Sequence, residues 1–104
     1  MTRPVRLSAK ASARLQDVLD WTFDRFGARQ ADRYRARLHA IFDHLGEGTA
    51  PSRSVRDVLA PRAPADLRFV KVGAHFVLFR ERDEGVEITD VLHEAMDVEG
   101  WVEE

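Results

Sequence analysis

The sequence has no cysteine among its 104 residues, which excludes a disulfide scaffold, a thiolate zinc site and a cysteine nucleophile together. Long apolar runs are missing too. Nothing approaches the roughly 20 residues that a membrane-crossing helix needs, and no apolar stretch follows the basic residues at the start, so no secretory leader is expected. Tyrosine occurs once, as Tyr34, and lysine only as Lys10 and Lys71, so arginine supplies most of the positive charge. No glycine-rich phosphate loop, nucleophile elbow or paired carboxylate motif is present. His39 and His44 do not have the i, i+4 spacing that puts two ligands on one helix face, so no metal or other cofactor is expected.

What is present suits a single folded unit over residues 1–104, expected in the cytoplasm. Hydrophobic residues make up 44% and charged residues 33%, too apolar for a disordered chain. The net charge of −2 hides an asymmetry. From Arg3 to Arg82 the 16 bases face nine acids, a balance of +7; from Asp83 onward there are nine acids and no base. A basic body is followed by an acidic terminal segment.

Arg3 to Leu7 reads as a short strand that Pro4 confines to an edge, or that Pro4 starts. Ser8 or Ser12 then caps a helix with Leu15, Val18, Leu19, Trp21, Thr22 and Phe26 at helical spacing, and Gly27 stops it in a left-handed conformation. A second helix carries Ala31, Tyr34, Leu38, Ile41, Phe42 and Leu45 on its apolar side and ends at Gly46. Its polar side bears Arg29, Arg33, Arg35 and Arg37. So short a joint predicts an antiparallel helical hairpin. Residues 47–65, with three prolines, read as a surface connection containing one helical turn near Val55–Leu59. Three β-branched and aromatic runs follow, Leu67–Val72, His75–Arg80 and Val86–His93, separated by Gly73 and by Asp83-Glu84-Gly85, as in an antiparallel meander with one apolar and one more polar face. A short helix is expected in the tail, contacting through Met96, Val98, Trp101 and Val102. The class is α+β: an N-terminal strand, a helical hairpin packed on a small curved antiparallel sheet, and a short C-terminal helix.

Several motifs in this order resemble the RelE/ParE toxin superfamily. Phe26-Gly27-Ala28-Arg29-Gln30-Ala31, with Tyr34 after it, is similar to the joint of that family's helical hairpin. Val72-Gly73-Ala74-His75-Phe76-Val77-Leu78-Phe79-Arg80 resembles its central β-hairpin, and Ile88-Thr89-Asp90-Val91-Leu92-His93-Glu94-Ala95-Met96-Asp97 its closing strand. The resemblance covers nearly the whole chain and favours the ParE branch. It implies a type II toxin held by a cognate antitoxin from the adjacent gene, in a heterotetramer or larger assembly. It also implies that this chain binds no specific DNA sequence itself and acts on no membrane. ParE-like members poison DNA gyrase; RelE-like members cut messenger RNA on the ribosome.

Two classes of function are therefore weighed. A binding toxin needs no catalytic residue. Its antitoxin is expected to meet Arg29, Arg33, Tyr34, Arg37, Phe76 and Leu78 in a groove between hairpin and sheet, and its target to meet Met96 and Trp101. A metal-free ribonuclease needs a base, an acid and cations for the phosphorane, which Arg68, Lys71, His75, Arg80 and His93 could supply if the strands bring them onto one face. Three features oppose the second class. Tyr34 lies on an apolar stripe, where a core role is expected; the terminal segment is acidic; and Asp90 stands where the family often has arginine. Asp90 is expected to pair with Arg68 or Arg80 across the sheet, or to mark an attenuated toxin that retains only antitoxin binding. For His93 the competing role is a backbone hydrogen bond at the strand end.

Overall fold

The computed structural model describes residues 2–96 and 98–102. Its elements are β1 (Val5–Leu7), α1 (Ala9–Phe26), α2 (Ala28–Glu47), β2 (Arg53–Ser54), α3 (Val55–Val58), β3 (Arg68–Val72), β4 (His75–Arg82), β5 (Gly85–His93) and α4 (Val98–Trp101). The architecture is the α+β arrangement the sequence predicts. The five strands form one sheet in the order β1-β5-β4-β3-β2. Strand β1 is an edge strand as expected from Pro4, but it runs parallel to β5, while all other pairs are antiparallel. The two-residue β2 lies inside the segment read as a connection; it is too short to leave a periodic signature.

Ser8 caps α1, its Oγ accepting the Ala11 N–H at 3.0 Å. Gly27 joins the helices with φ 90° and ψ 176°, an extended ψ rather than the left-handed stop expected. The second helix runs past Gly46 to Glu47 and is capped by Gly48. Gly46 is instead a packing residue, its carbonyl accepting the Arg3 N–H at 2.8 Å.

Both faces of the sheet are covered, so the more polar outer face expected from the sequence is not found. Leu38, Phe42 and Leu45 of the hairpin meet Val70, Val77, Phe79 and Ile88 in the first core, with Leu15 at its margin. The second core, on the opposite face, joins Phe69, Phe76, Leu78 and Leu92 to Val55, Ala60 and Ala63 from the connection, to Leu67 and to Val102. Proline-rich as it is, the connection folds inward. Burying each of the leucine, valine and isoleucine side chains contributes about 2 kcal/mol.

The α1 stripe holds only in part. Leu19 and Thr22 are buried, but Trp21 is 50%, Phe23 55% and Phe26 61% exposed. Beyond Thr22 no described residue of α1 is buried, because the end of the helix projects past its support.

Gly85 fixes where β1 docks. Its φ of +151° is one that side chains rarely adopt, and a Cβ there would run into the Pro4 carbonyl oxygen. That oxygen accepts the Val86 N–H at 2.9 Å. Gly85→Ala is expected to cost roughly 2 kcal/mol by displacing β1. A urea midpoint equal to that of the parent would refute this.

Candidate functional site

The five groups proposed for ribonuclease chemistry do not converge. Paired residues share a face of a sheet, and the register pairs His75 with both Val72 and His93, and Arg68 with Phe79. Arg68, His75 and His93 thus belong to the hairpin side. Lys71 pairs with Phe76, and Arg80 follows Phe79, so both belong to the opposite side. Each group also has its own partner. The Arg68 guanidinium donates to Ser52 Oγ and Ser52 O at 2.8 and 3.0 Å. Lys71 pairs with Glu94 at 2.8 Å, and Arg80 with Asp66 at 3.2 Å. His93 makes the backbone contact weighed for it, with the polarity reversed: its Nδ1 accepts the Ala95 N–H at 3.0 Å.

Tyr34 is half-buried and polar in its role, not a plain core residue. Its hydroxyl donates to the Val72 carbonyl at 2.6 Å and lies 2.6 Å from His75 Nδ1. With the single phenolic proton given to Val72, His75 Nδ1–H donates to Tyr34. Gly73 permits the approach: a Cβ there would stand 3.0 Å from Tyr34 Cε1 and Oη. Burial pushes the Tyr34 pKa up, against the opposing pull of Arg37. His75, buried and edge-on to His93 with ring centroids 5.1 Å apart, is pushed down to about 4, first by burial and then by His93. Lys71 holds the Glu94 carboxyl below its usual range. The cluster clasps α2 to the β3–β4 turn and to the end of β5.

Asp90 pairs with neither Arg68 nor Arg80. It is buried and meets α1 instead, with Oδ1 3.3 Å from Arg14 Nε and Oδ2 3.5 Å from Lys10 Nζ. Oδ1 also accepts the Val91 N–H at 2.8 Å. Thr89 is the unpaired residue of a β-bulge between the Leu78–Asp90 and Phe79–Ile88 pairs. Arg14 lies over the Trp101 ring, 4.2 Å from its centroid.

Of the residues expected to meet an antitoxin, Phe76 and Leu78 lie buried in the second core, on the side of the sheet away from the hairpin. The hairpin–sheet groove is filled by the first core. Arg29, Arg33 and Arg37 are exposed, as is Arg35, and none of the four is in an ion pair among the described residues. Their i, i+4, i+8 spacing lines Arg29, Arg33 and Arg37 along one face of α2, where like charges destabilise a helix. Met96 packs against the second core, while Trp101 is 46% exposed. The sequence reading missed the aromatic end of α1. There Trp21 and Phe26 stack edge-on with centroids 6.0 Å apart, and Arg25 covers Trp21 at 5.1 Å.

The helical hairpin thus covers one face of a small sheet and leaves the aromatic end of α1 exposed. Residues 5–98 match the model of the ParE toxin of the type II toxin-antitoxin system parDE. The chain is 32% identical over 94 residues to Toxin ParE1 of Mycobacterium tuberculosis, covering 89% of this chain and 91% of the relative. It is 35% identical over 98 residues to Toxin ParE1 of Caulobacter vibrioides, covering 90% and 92%. Toxin ParE of Escherichia coli is 31% identical over 93 residues, covering 88% and 85%. A solved structure described as the chromosomal ParDE TA system from P. aeruginosa shares the fold with a TM-score of 0.67 at 14% identity, covering 88% of this chain and 96% of that one. The chain belongs to the ParE toxin family of type II toxin–antitoxin systems.

Proposed function

We propose that this ParE-type toxin is silenced by a cognate antitoxin that seats on the outer face of the helical hairpin, and that it arrests growth by binding DNA gyrase without catalysis of its own. One observation carries the reading: the hairpin leaves three aromatic side chains and a stripe of unpaired arginines uncovered. Exposed large aromatics beside arginine have the composition of an interface centre, where a few such residues supply most of the affinity. An inhibitor segment with apolar anchors for Trp21 and Phe26 and with carboxylates for Arg29, Arg33 and Arg37 complements this surface, and folds as it binds. Trp101 is the target-side candidate. The complex is proposed to be a heterotetramer or larger, acting in the cytoplasm.

Two experiments test the reading. Co-expression with the adjacent reading frame should yield a stable complex; a toxin that purifies alone in the presence of that partner contradicts it. Gyrase with plasmid DNA should accumulate cleaved plasmid in the presence of the toxin, while messenger RNA on translating ribosomes stays intact. The opposite pattern replaces the gyrase reading with the ribonuclease one. The geometry favours the first outcome, because Arg68 and Arg80 are held by Ser52 and Asp66, and Lys71 is paired with Glu94. Arg68→Ala and His93→Ala are accordingly expected to leave growth arrest within about twofold of the parent per folded molecule. A hundredfold loss, of the size that removing a general acid or base produces, would overturn this.

A further inference from the structure

The indole of Trp101 is presented by a helix that cannot hold itself. Helix α4 has four residues, far short of the length at which a helix is stable alone. Its seat comes from Val98 and Val102, which pack on the second core, while Trp101 remains 46% exposed. Burial of those two valines places the backbone but leaves the side-chain angles of an exposed tryptophan open to several rotamers.

A chain of contacts narrows that choice. The Arg14 guanidinium carbon lies over the indole, 4.2 Å from the ring centroid, where a cation is attracted by an aromatic face, most strongly by that of tryptophan. An arginine on a helix surface samples many rotamers, but this one is pinned, with Nε 3.3 Å from Asp90 Oδ1. Asp90 is itself held. It is buried in β5 beside the bulge, Oδ1 accepts the Val91 N–H at 2.8 Å, and Lys10 Nζ stands 3.5 Å from Oδ2. A buried ion pair is a poor way to attach α1, since apolar replacements are often as stable or more so. What the carboxylate does supply is a fixed direction for one guanidinium.

We propose that Asp90 and Arg14 are positioning residues for target binding: the buried carboxylate fixes the guanidinium, and the guanidinium holds the Trp101 indole in the orientation in which it meets the target. The inference rests on the reading of Trp101 as the target-side residue. Apparent affinity then scales with the fraction of molecules whose indole is already in place.

Two readouts on the full-length protein test this. One is the ¹⁵N order parameter of the Trp101 indole N–H, its signal assigned with Trp21→Phe. The other is the toxin concentration that gives half-maximal plasmid cleavage with gyrase. The parent indole should be as rigid as folded backbone, with an order parameter of about 0.85, and should fall below about 0.6 in Asp90→Asn and in Arg14→Ala. Each variant should need about tenfold more toxin. The double variant should match Arg14→Ala alone, because Asp90 acts through Arg14. Lys10→Ala, which removes the other partner of the same carboxylate, should match the parent in both readouts. Unchanged indole order in Arg14→Ala, additive losses in the double variant, or a Lys10→Ala as damaging as Asp90→Asn overturns the proposal. So does a loosened indole with undiminished cleavage when Trp101→Ala abolishes it. If Trp101→Ala cleaves as the parent does, or the parent cleaves no plasmid, the target reading fails and the proposal with it; the indole order parameters distinguish this from a failure of the positioning itself.

Discussion

Replacing Trp21 and Phe26 together with alanine is expected to weaken the toxin–antitoxin complex by at least about 1,000-fold, with little effect on the stability of the free toxin. The two halves of that expectation come from the same numbers. Trp21 is 50% and Phe26 61% exposed, so truncation removes little that the monomer buries and creates no cavity. At an interface, burying such an aromatic and losing it again costs about 2 kcal/mol or more per residue, and two such losses give the stated factor. Reversing Arg29, Arg33 and Arg37 to glutamate should also weaken the complex, mostly through a slower association rate that rises with added salt where the parent's falls. It should stabilise α2 no less than the parent, since three like charges are merely exchanged for three of the other sign. Surface plasmon resonance with the co-purified antitoxin separates the two effects. An unchanged dissociation rate in the double alanine variant would place the antitoxin elsewhere on the molecule.

Stability should fall by about 2.5 kcal/mol between pH 7.5 and pH 4.5 because of His75 alone. In the unfolded chain the imidazole takes its proton near pH 6.5; in the folded chain, buried against Tyr34 and facing His93, it does so only at about 4. The unfolded state therefore binds more protons throughout this window. Stability is level above pH 7, declines as pH drops through 6.5, and flattens below 4. Protonation would add a donor at Nε2 and a charge beside His93, while Nδ1–H already serves Tyr34. Glu94, held low by Lys71, contributes in the same direction at lower pH. Urea midpoints across this range should show the decline in the parent and a much shallower one in His75→Gln. An equal decline in both would assign the proton to another group.

The two long helices, the hairpin joint and the three long strands are legible in the sequence because each has enough residues for its period to declare itself. Leu38, Phe42 and Leu45 recur at helical spacing and do face the sheet. Trp21 and Phe26 fit the same periodicity yet end in solvent. Periodicity reports which side of a helix is apolar, and says nothing of whether a neighbour lies beneath it. Strand β2 was invisible for want of length. The inward turn of Val55, Ala60 and Ala63 is hidden by the prolines around them, which mark a change of direction and carry no information about depth. Asp90 stands out in its strand, but the sequence does not name its partners. Lys10 and Arg14 stand one helical turn apart, some 80 residues earlier in the chain, and only the placement of α1 beside β5 brings them to the carboxylate. The exposed arginines of α2 were read correctly because charge at i, i+4 intervals has no stable place except at a surface.

The parallel pairing of Val5–Leu7 with Val86–Ile88 bears on how the protein is made. A ribosome adding about 5–20 residues each second delivers β1 well before β5, the strand that must receive it. Until Ile88 has emerged, the earliest residues of the chain have no edge to join, and Ser8, whose N–H is held by the Ile88 carbonyl, cannot anchor the start of α1 there. Closure of the sheet thus awaits the synthesis of β5, and until then the hairpin lacks its finished seat.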